Sequence, residues 1–280
     1  MILLLDVGNT RLKFACWNWE DTESASMSEQ EAIVHSGCFP SVFDEIQKNV
    51  QKKLKVTSQQ YRLQSEMSNC GDLKRILVSC VAGKLAEQAI RESCQRCFNL
   101  DPEFARTQKI RKNLKIAYEL PERLGVDRWL AILAAKSSWG FKNAPVCVVD
   151  SGSALTIDVV SAKGDHQGGF ILPGFRLMYD SLLSGTQEIY ADKPSFQKLD
   201  WGKDTNEAVS QGALFAIVAT VNESYRRFKE QEIGVRMVLT GGDASLLAPY
   251  LDDADECKNT PELVLLGLLE YFDVIELPRT

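Results

Sequence analysis

Residues 2–5 form an unbroken apolar run that halts at Asp6, crosses Gly8-Asn9-Thr10 and resumes as an apolar/polar alternation over 12–19. A short apolar run predicts a buried strand and the alternation a half-buried one, so strands are expected over 2–5, 12–19 and 32–38. A polar-faced helix is expected over 42–54, a weakly patterned surface excursion over 57–72, a buried strand over 75–82 and a helix over 84–97. Pro121 opens a long helix predicted to reach 139. A proline in the first turn loses no hydrogen bond, and Leu124, Trp129, Ile132 and Leu133 can share one buried stripe. Further on, the pattern predicts strands at 146–149, 169–172 and 236–239, and helices at 175–183, 206–229, 245–251 and 263–272.

The second half repeats the first. Residues 146–149 again form an apolar strand, here ending in Asp150, and "DSGSALTIDVV" runs carboxylate, glycine turn, hydroxyl and return strand. Matching Asp6 to Asp150 sets Gly8 opposite Gly152, Asn9 opposite Ser153 and Thr10 opposite Ala154. A repeat at that distance implies two similar domains facing each other. Strands lead and helices follow in each half, which suits an α/β fold with mixed sheets and helical layers.

A glycine lets backbone N–H groups approach a phosphate, and neighbouring hydroxyls or amides add donors. In a P-loop or dinucleotide fingerprint the glycines lead into a helix; here both turns return into strand, and neither G-x-x-x-x-G-K-[ST] nor G-x-G-x-x-G occurs. A strand-turn-strand hairpin with an acid at its entrance is the phosphate device of the actin, Hsp70 and sugar-kinase superfamily. One such turn is also a common β-turn; two in matched places carry the argument.

Composition narrows the partners. The net charge is −6, from 32 Lys+Arg against 38 Asp+Glu, and no basic block stands out, so nucleic acid is not expected. No apolar run approaches the ~18 residues of a membrane span. Residues 1–5 are too short for a secretory apolar region of about 7–15, so a cytoplasmic protein is expected. Eight cysteines (Cys16, Cys38, Cys70, Cys80, Cys94, Cys97, Cys147, Cys257) lie scattered. Cys94 and Cys97 have no second pair or histidine cluster to complete a zinc site and read as ordinary thiols near a helix end. His35 and His166 are solitary and read as surface or core residues.

The runs Asp6-Val7-Gly8-Asn9-Thr10-Arg11-Leu12-Lys13, "YELPERLGVDR" (118–128), "DSGSALTID" (150–158), "GGFILPG" (168–174) and "TGGD" (240–243) resemble those of type III pantothenate kinases. The likeness holds in order and spacing over nearly the whole chain. It implies two duplicated ribonuclease-H-like domains, mixed sheets flanked by helices, with a nucleotide cleft between them. The first domain would cover 1–116 with the first phosphate hairpin. The second would cover 117–280 with the second hairpin and the substrate-binding helix. The implied reaction transfers the γ-phosphoryl of ATP, with Mg²⁺, to the primary hydroxyl of pantothenate, the first step towards coenzyme A. By the same resemblance Asp6, Val7, Gly8, Asn9, Thr10, Arg11, Leu12 and Lys13 form the first phosphate hairpin, and Ser153 makes the matching contact. Asp127 accepts the proton; Tyr118, Gly125, Val126 and Arg128 shape the pantothenate pocket, with Thr186 opposite; Asp150 ligates K⁺ or ammonium; and a homodimer is implied.

The chemistry suits these side chains. Phosphoryl transfer needs positioning and charge neutralisation more than covalent help, and an aspartate, ionised at pH 7, can orient an alcohol and accept its proton. Ser153 stands where the family usually has Thr, and Gln187 and Tyr190 follow Thr186 where a small residue and a proline are usual. Two alternatives stay open: a catalytically degenerate accessory or regulatory protein like the Bvg accessory factors, and a kinase for another small alcohol.

Overall fold

A strand paired on both edges, with both faces covered, must be apolar throughout, and residues 2–5 are fully buried. They belong to β1 (Ile2–Val7), which pairs antiparallel with β2 (Arg11–Asn18) and parallel with β5 (Arg75–Cys80). The computed structural model describes residues 1–18, 26–35, 37–61, 73–137, 141–185, 199–253 and 257–274.

Short strands β3 (Ser26–Met27) and β4 (Glu31–Val34) both pair with β2, and β6 (Glu103–Phe104) pairs parallel with β5. Helix α1 (Phe39–Tyr61) begins three residues before the expected 42 and carries Pro40 in its first turn. It extends into the stretch read as a surface excursion, whose residues 62–72 lie outside the described residues. Phe39, Val42, Phe43, Ile46 and Val50 form its apolar stripe. They pack with Ala86, Ile90 and Cys94 of α2 (Lys84–Phe98) over one face of the sheet. Full burial of each large apolar side chain stabilises by about 1.5–3 kcal/mol. Asn99 ends α2 in the left-handed conformation, its N–H bonded to Gln95 O at 3.0 Å.

A small hairpin follows, β7 (Ile110–Arg111) with β8 (Leu114–Lys115). The single helix expected over 121–139 is two pieces. A 3-10 turn covers Pro121–Arg123, Leu124 is extended (φ −84°, ψ 121°), and α3 runs over Val126–Ala135. The extended residue breaks the i to i−4 ladder, so the true helix starts five residues after the proline.

The second sheet has β9 (Val146–Ser151), β10 (Ala154–Val160), β11 (His166–Pro173), β12 (Arg236–Thr240) and β13 (Cys257–Asn259). Helices α4 (Phe175–Gly185) and α5 (Thr205–Gln231) accompany it. Asp204 caps α5 by accepting from Glu207 N at 2.8 Å, while Glu207 Oε2 accepts from Lys203 N. Leu214, Ile217, Val218, Val221, Tyr225 and Phe228 of α5 cover Cys147, Val149, Leu155 and Ile157. Burial pushes the thiols of Cys94 and Cys147 up to about 12, so neither is a reactive thiolate. The closing helix expected over 245–251 is one turn, α6 (Ala244–Leu247), followed by a 3-10 turn at Ala248–Tyr250 that contains Pro249. The last helix is α7 (Leu263–Tyr271).

The two sheets run β3/β4-β2-β1-β5-β6 and β11-β10-β9-β12-β13. Each has the same order 3-2-1-4-5, with the second strand antiparallel to the first and the fourth and fifth parallel to it. That is a duplicated ribonuclease-H-like architecture, as the sequence implied. Packing groups Met1–Thr107 with Gly125–Leu130 and the stretch from Val264, and groups Gln108–Leu124 with Ala131–Leu263. These compact units do not follow a contiguous division at 116/117. Helix α7 joins the first unit because Tyr271 Oη accepts from Arg106 N at 3.2 Å and Arg75 lies 5.6 Å from the Phe272 ring.

Candidate active site

In the first unit, Asp6 is half-buried near the end of β1, directly opposite Lys13 on β2 and Ser79 on β5. Paired positions share a face of the sheet, so carboxylate, ammonium and hydroxyl gather on one side. Ser79 is fully buried and its Oγ has no protein partner among the described residues. Val7 and Leu12 are fully buried in the core, which takes their side chains out of reach of any ligand. Between them the turn closes with Gly8 N donating to Arg11 O at 3.0 Å, and Asn9, Thr10 and Arg11 are exposed.

In the second unit, Asp150 is half-buried opposite Thr156 on β10 and Thr240 on β12. Here the turn closes with Gly152 N on Ala154 O at 3.0 Å. Gly174 N donates to Ser153 O at 3.0 Å, and Asp243 N, from the "TGGD" turn, donates to Ser151 O at 2.9 Å. A Cβ on Gly174 would run into the carbonyl oxygens of Gly152 and Ser153, which explains a glycine at the end of "GGFILPG".

The repeat needs one correction. Register pairs Val7 with Leu12 but Ser151 with Leu155, so the first turn holds one residue more than the second. Beyond Gly8/Gly152 the match shifts by one: Arg11 corresponds to Ala154 and Thr10 to Ser153. The structural counterpart of Ser153 is therefore the hydroxyl of Thr10, and Asn9 is the extra residue.

Residues 125–130 of the first unit hold Gly125, Val126, Asp127 and Arg128 at the start of α3. Asp127 Oδ1 accepts from Arg128 N at 2.8 Å, in the helix's first turn where exposed amides and the dipole favour an anion. The carboxylate folds back over Gly125: a Cβ there would lie 2.5 Å from Asp127 Oδ1. Val126 and Arg128 are buried and Asp127 half-buried.

Tyr118 belongs to the second unit, where Lys109 Nζ donates to its carbonyl at 2.6 Å and its ring stacks on His166, centroids 6.2 Å apart. The buried His166 is fixed by two partners: Ala117 N donates to Nδ1 at 3.4 Å, which assigns the proton to Nε2, and that donates to Asp158 Oδ1 at 2.9 Å. Thr186, with Gln187 and Tyr190, lies outside the described residues. Within each unit, then, the first holds residues 6–13 and 125–128, the second Tyr118, Asp150 and Ser153.

Sequence reasoning passed over Ser79, Thr156, Thr240, the His166–Asp158 pair and His35. Each becomes visible only through strand register or a contact across many residues. His35, 8% exposed, donates from Nε2 to Gly8 O at 3.0 Å and from its own N to Thr10 O at 3.0 Å, while Nδ1 accepts from Gly37 N at 3.3 Å.

Among the described residues no helix is long and apolar enough to cross a membrane. The family model for type III pantothenate kinase matches residues 2–227. The chain is 30% identical over 271 residues to the type III pantothenate kinase of Nitrosococcus oceani, covering 96% of this chain and 92% of that one. With the enzyme of that name from Acinetobacter baumannii it shares 32% over 269 residues, 96% of each chain. With that from Teredinibacter turnerae it shares 36% over 207 residues, 70% of this chain and 79% of the other. Among solved structures, a conserved Baf family protein from Campylobacter jejuni superposes with a TM-score of 0.51 at 20% identity, covering 98% of this chain and 100% of that one, a likeness of fold. Duplicated sheets, paired acid-and-glycine turns and sequence matches along almost the full length agree: the chain belongs to the type III pantothenate kinase family.

Proposed function

We propose that this chain transfers the γ-phosphoryl group of ATP to the primary hydroxyl of pantothenate, giving 4'-phosphopantothenate for coenzyme A synthesis. The family match over residues 2–227 carries this reading, and the two sheets ending in matched acid-and-glycine turns support it.

Residues 6–13 bind the phosphates of ATP. Their exposed turn offers backbone amides, the Thr10 hydroxyl and the Arg11 guanidinium, while Lys13 neutralises phosphate charge beside Asp6. Ser153 makes the corresponding contact from the second turn. Asp127, pinned at the start of α3, orients the pantothenate hydroxyl and accepts its proton as the bond to phosphorus forms. Tyr118, Gly125, Val126, Arg128 and Thr186 shape the substrate pocket.

The residues fit the ions this chemistry uses. No basic residue occupies the strand positions beside Asp150; Thr156 and Thr240 hydroxyls do, and an all-oxygen setting suits K⁺ or ammonium. Asp6 would be the carboxylate that meets Mg²⁺ beside the nucleotide's phosphates, and the Ser79 Oγ opposite it, without a protein partner among the described residues, would be a ready partner for a metal-bound water. When bound, these ions neutralise charge on the transferring phosphoryl group.

The working form is a homodimer in the cytoplasm. In the second unit Phe170 and Ile171 of β11 and Leu177 of α4 are 53%, 63% and 54% exposed, apolar side chains of the kind a second copy would cover. The decisive experiment supplies purified protein with ATP, Mg²⁺, KCl and pantothenate. ADP release that depends on pantothenate is expected, and release no higher than without pantothenate would refute the reading.

A further inference from the structure

We propose that His35 is the positioning residue of the first phosphate hairpin, holding the turn's carbonyls away from the nucleotide so that its amides face the phosphates. This deepens the kinase reading and rests on the turn at 8–11 being the phosphate site. An anion-binding turn needs its N–H groups on one side, because a carbonyl oxygen swung towards a phosphate brings a negative dipole end against negative charge. In this turn two carbonyls are taken from behind by one residue: Gly8 O accepts from His35 Nε2 and Thr10 O from His35 N, each at 3.0 Å. The ring is itself locked, since Gly37 N donates to Nδ1 and the Phe39 ring lies 5.0 Å away. That acceptor bond leaves the proton on Nε2, where the Gly8 carbonyl requires it.

The second hairpin shows that the task is separable from the fold. There Gly174 N serves the Ser153 carbonyl from the residue that follows β11, as His35 N serves Thr10 from the residue that follows β4. The backbone clamp is thus common to both turns, and among the described residues the imidazole, on the Gly8 carbonyl, is an addition seen at the first turn and not at Gly152 of the second. His35 touches neither nucleotide nor alcohol in this account; it acts through residues 8–11.

The test compares wild type with His35→Ala, His35→Gln and His35→Asn in steady-state kinetics and in titration with a non-hydrolysable ATP analogue. Glutamine places an amide donor near the position of Nε2, asparagine near that of Nδ1. Loss of one orienting hydrogen bond should raise KM for ATP and weaken analogue binding about tenfold in His35→Ala. The kcat and the KM for pantothenate should stay within about twofold, and His35→Gln, not His35→Asn, should restore most of the loss. Analogue affinity unchanged in His35→Ala, or equal KM for ATP in the glutamine and asparagine variants, would overturn the proposal. The second comparison decides the matter even if the alanine variant does not fold. A wild-type chain that binds no ATP analogue would instead overturn the kinase reading, and this inference with it.

Discussion

In the first hairpin four residues, 8–11, join Val7 to Leu12; in the second only three, 152–154, join Ser151 to Leu155. Around this shared design the chemistry differs. Asp6 faces Lys13 and Ser79, and its turn carries Arg11, whereas Asp150 faces Thr156 and Thr240 and its turn carries no charge. Opposite charges directly across strands stabilise each other, and in the proposed reading the first cradle meets phosphate with its cationic side chains while the second, an acid among hydroxyls, holds the monovalent cation. The restraints differ by one group: the first turn has the backbone amides of His35 and Val81 and, in addition, the His35 imidazole, and the second has the backbone amides of Gly174 and Asp243. The two hairpins share the sheet order and the closing hydrogen bond and differ in the residues opposite the acids.

The sharpest check on this division of labour lies outside both hairpins. Asp127→Asn should lower kcat by about 10²–10⁴-fold while binding of an ATP analogue persists, because the proposed proton acceptor belongs to neither cradle. Near-normal turnover would return the catalytic burden to the hairpins. Next in size is the cation. A unit charge 4 Å from a phosphate charge is worth from ~1 kcal/mol in water to ~4 kcal/mol at an effective dielectric of 20, or up to about a thousandfold in rate. Leaving out the monovalent cation should slow the wild type within that range, K⁺ should serve better than the smaller Na⁺, and Asp150→Asn should lose the distinction between the two ions. If Asp6→Asn loses it instead, the assignment of cation and phosphate to the two acids is reversed.

Gly174→Ala tests the restraints. Its Cβ meets backbone, which cannot move aside cheaply, so a loss of about 2–3 kcal/mol is expected in denaturant unfolding. An unchanged midpoint would mean that the second turn is looser than its contacts imply. The smallest effect concerns the shifted repeat: Thr10→Val and Ser153→Ala should each raise KM for ATP by about fivefold, the worth of one hydroxyl hydrogen bond. A change for Ser153 alone, with Asn9→Ala taking the place of Thr10, would favour the unshifted match.

Much of this was legible beforehand. The apolar runs of β1 and β9, the carboxylate and glycine that end each, and the helices α2, α4 and α5 follow from local pattern. The 3-10 break at Leu124 did not, because apolar spacing continued through it and only the backbone angles separate the turn from α3. Strands β6 and β13 are two and three residues long, too short for any periodicity to register. The two histidines looked idle for a related reason: His35 meets Gly8 from 27 residues away, and His166 meets Ala117 from 49.

By itself the sequence determined that two acid-and-glycine turns end two apolar strands and that Asp127 lies early in a helical stretch, since alternation, turn chemistry and capping act over a few neighbouring residues. Only the tertiary structure decided that Thr10 rather than Asn9 answers to Ser153, that lysine or threonine stands across from each acid, and that His35 backs the first turn. Those relations are set by strand register, and register is chosen when whole faces are buried together.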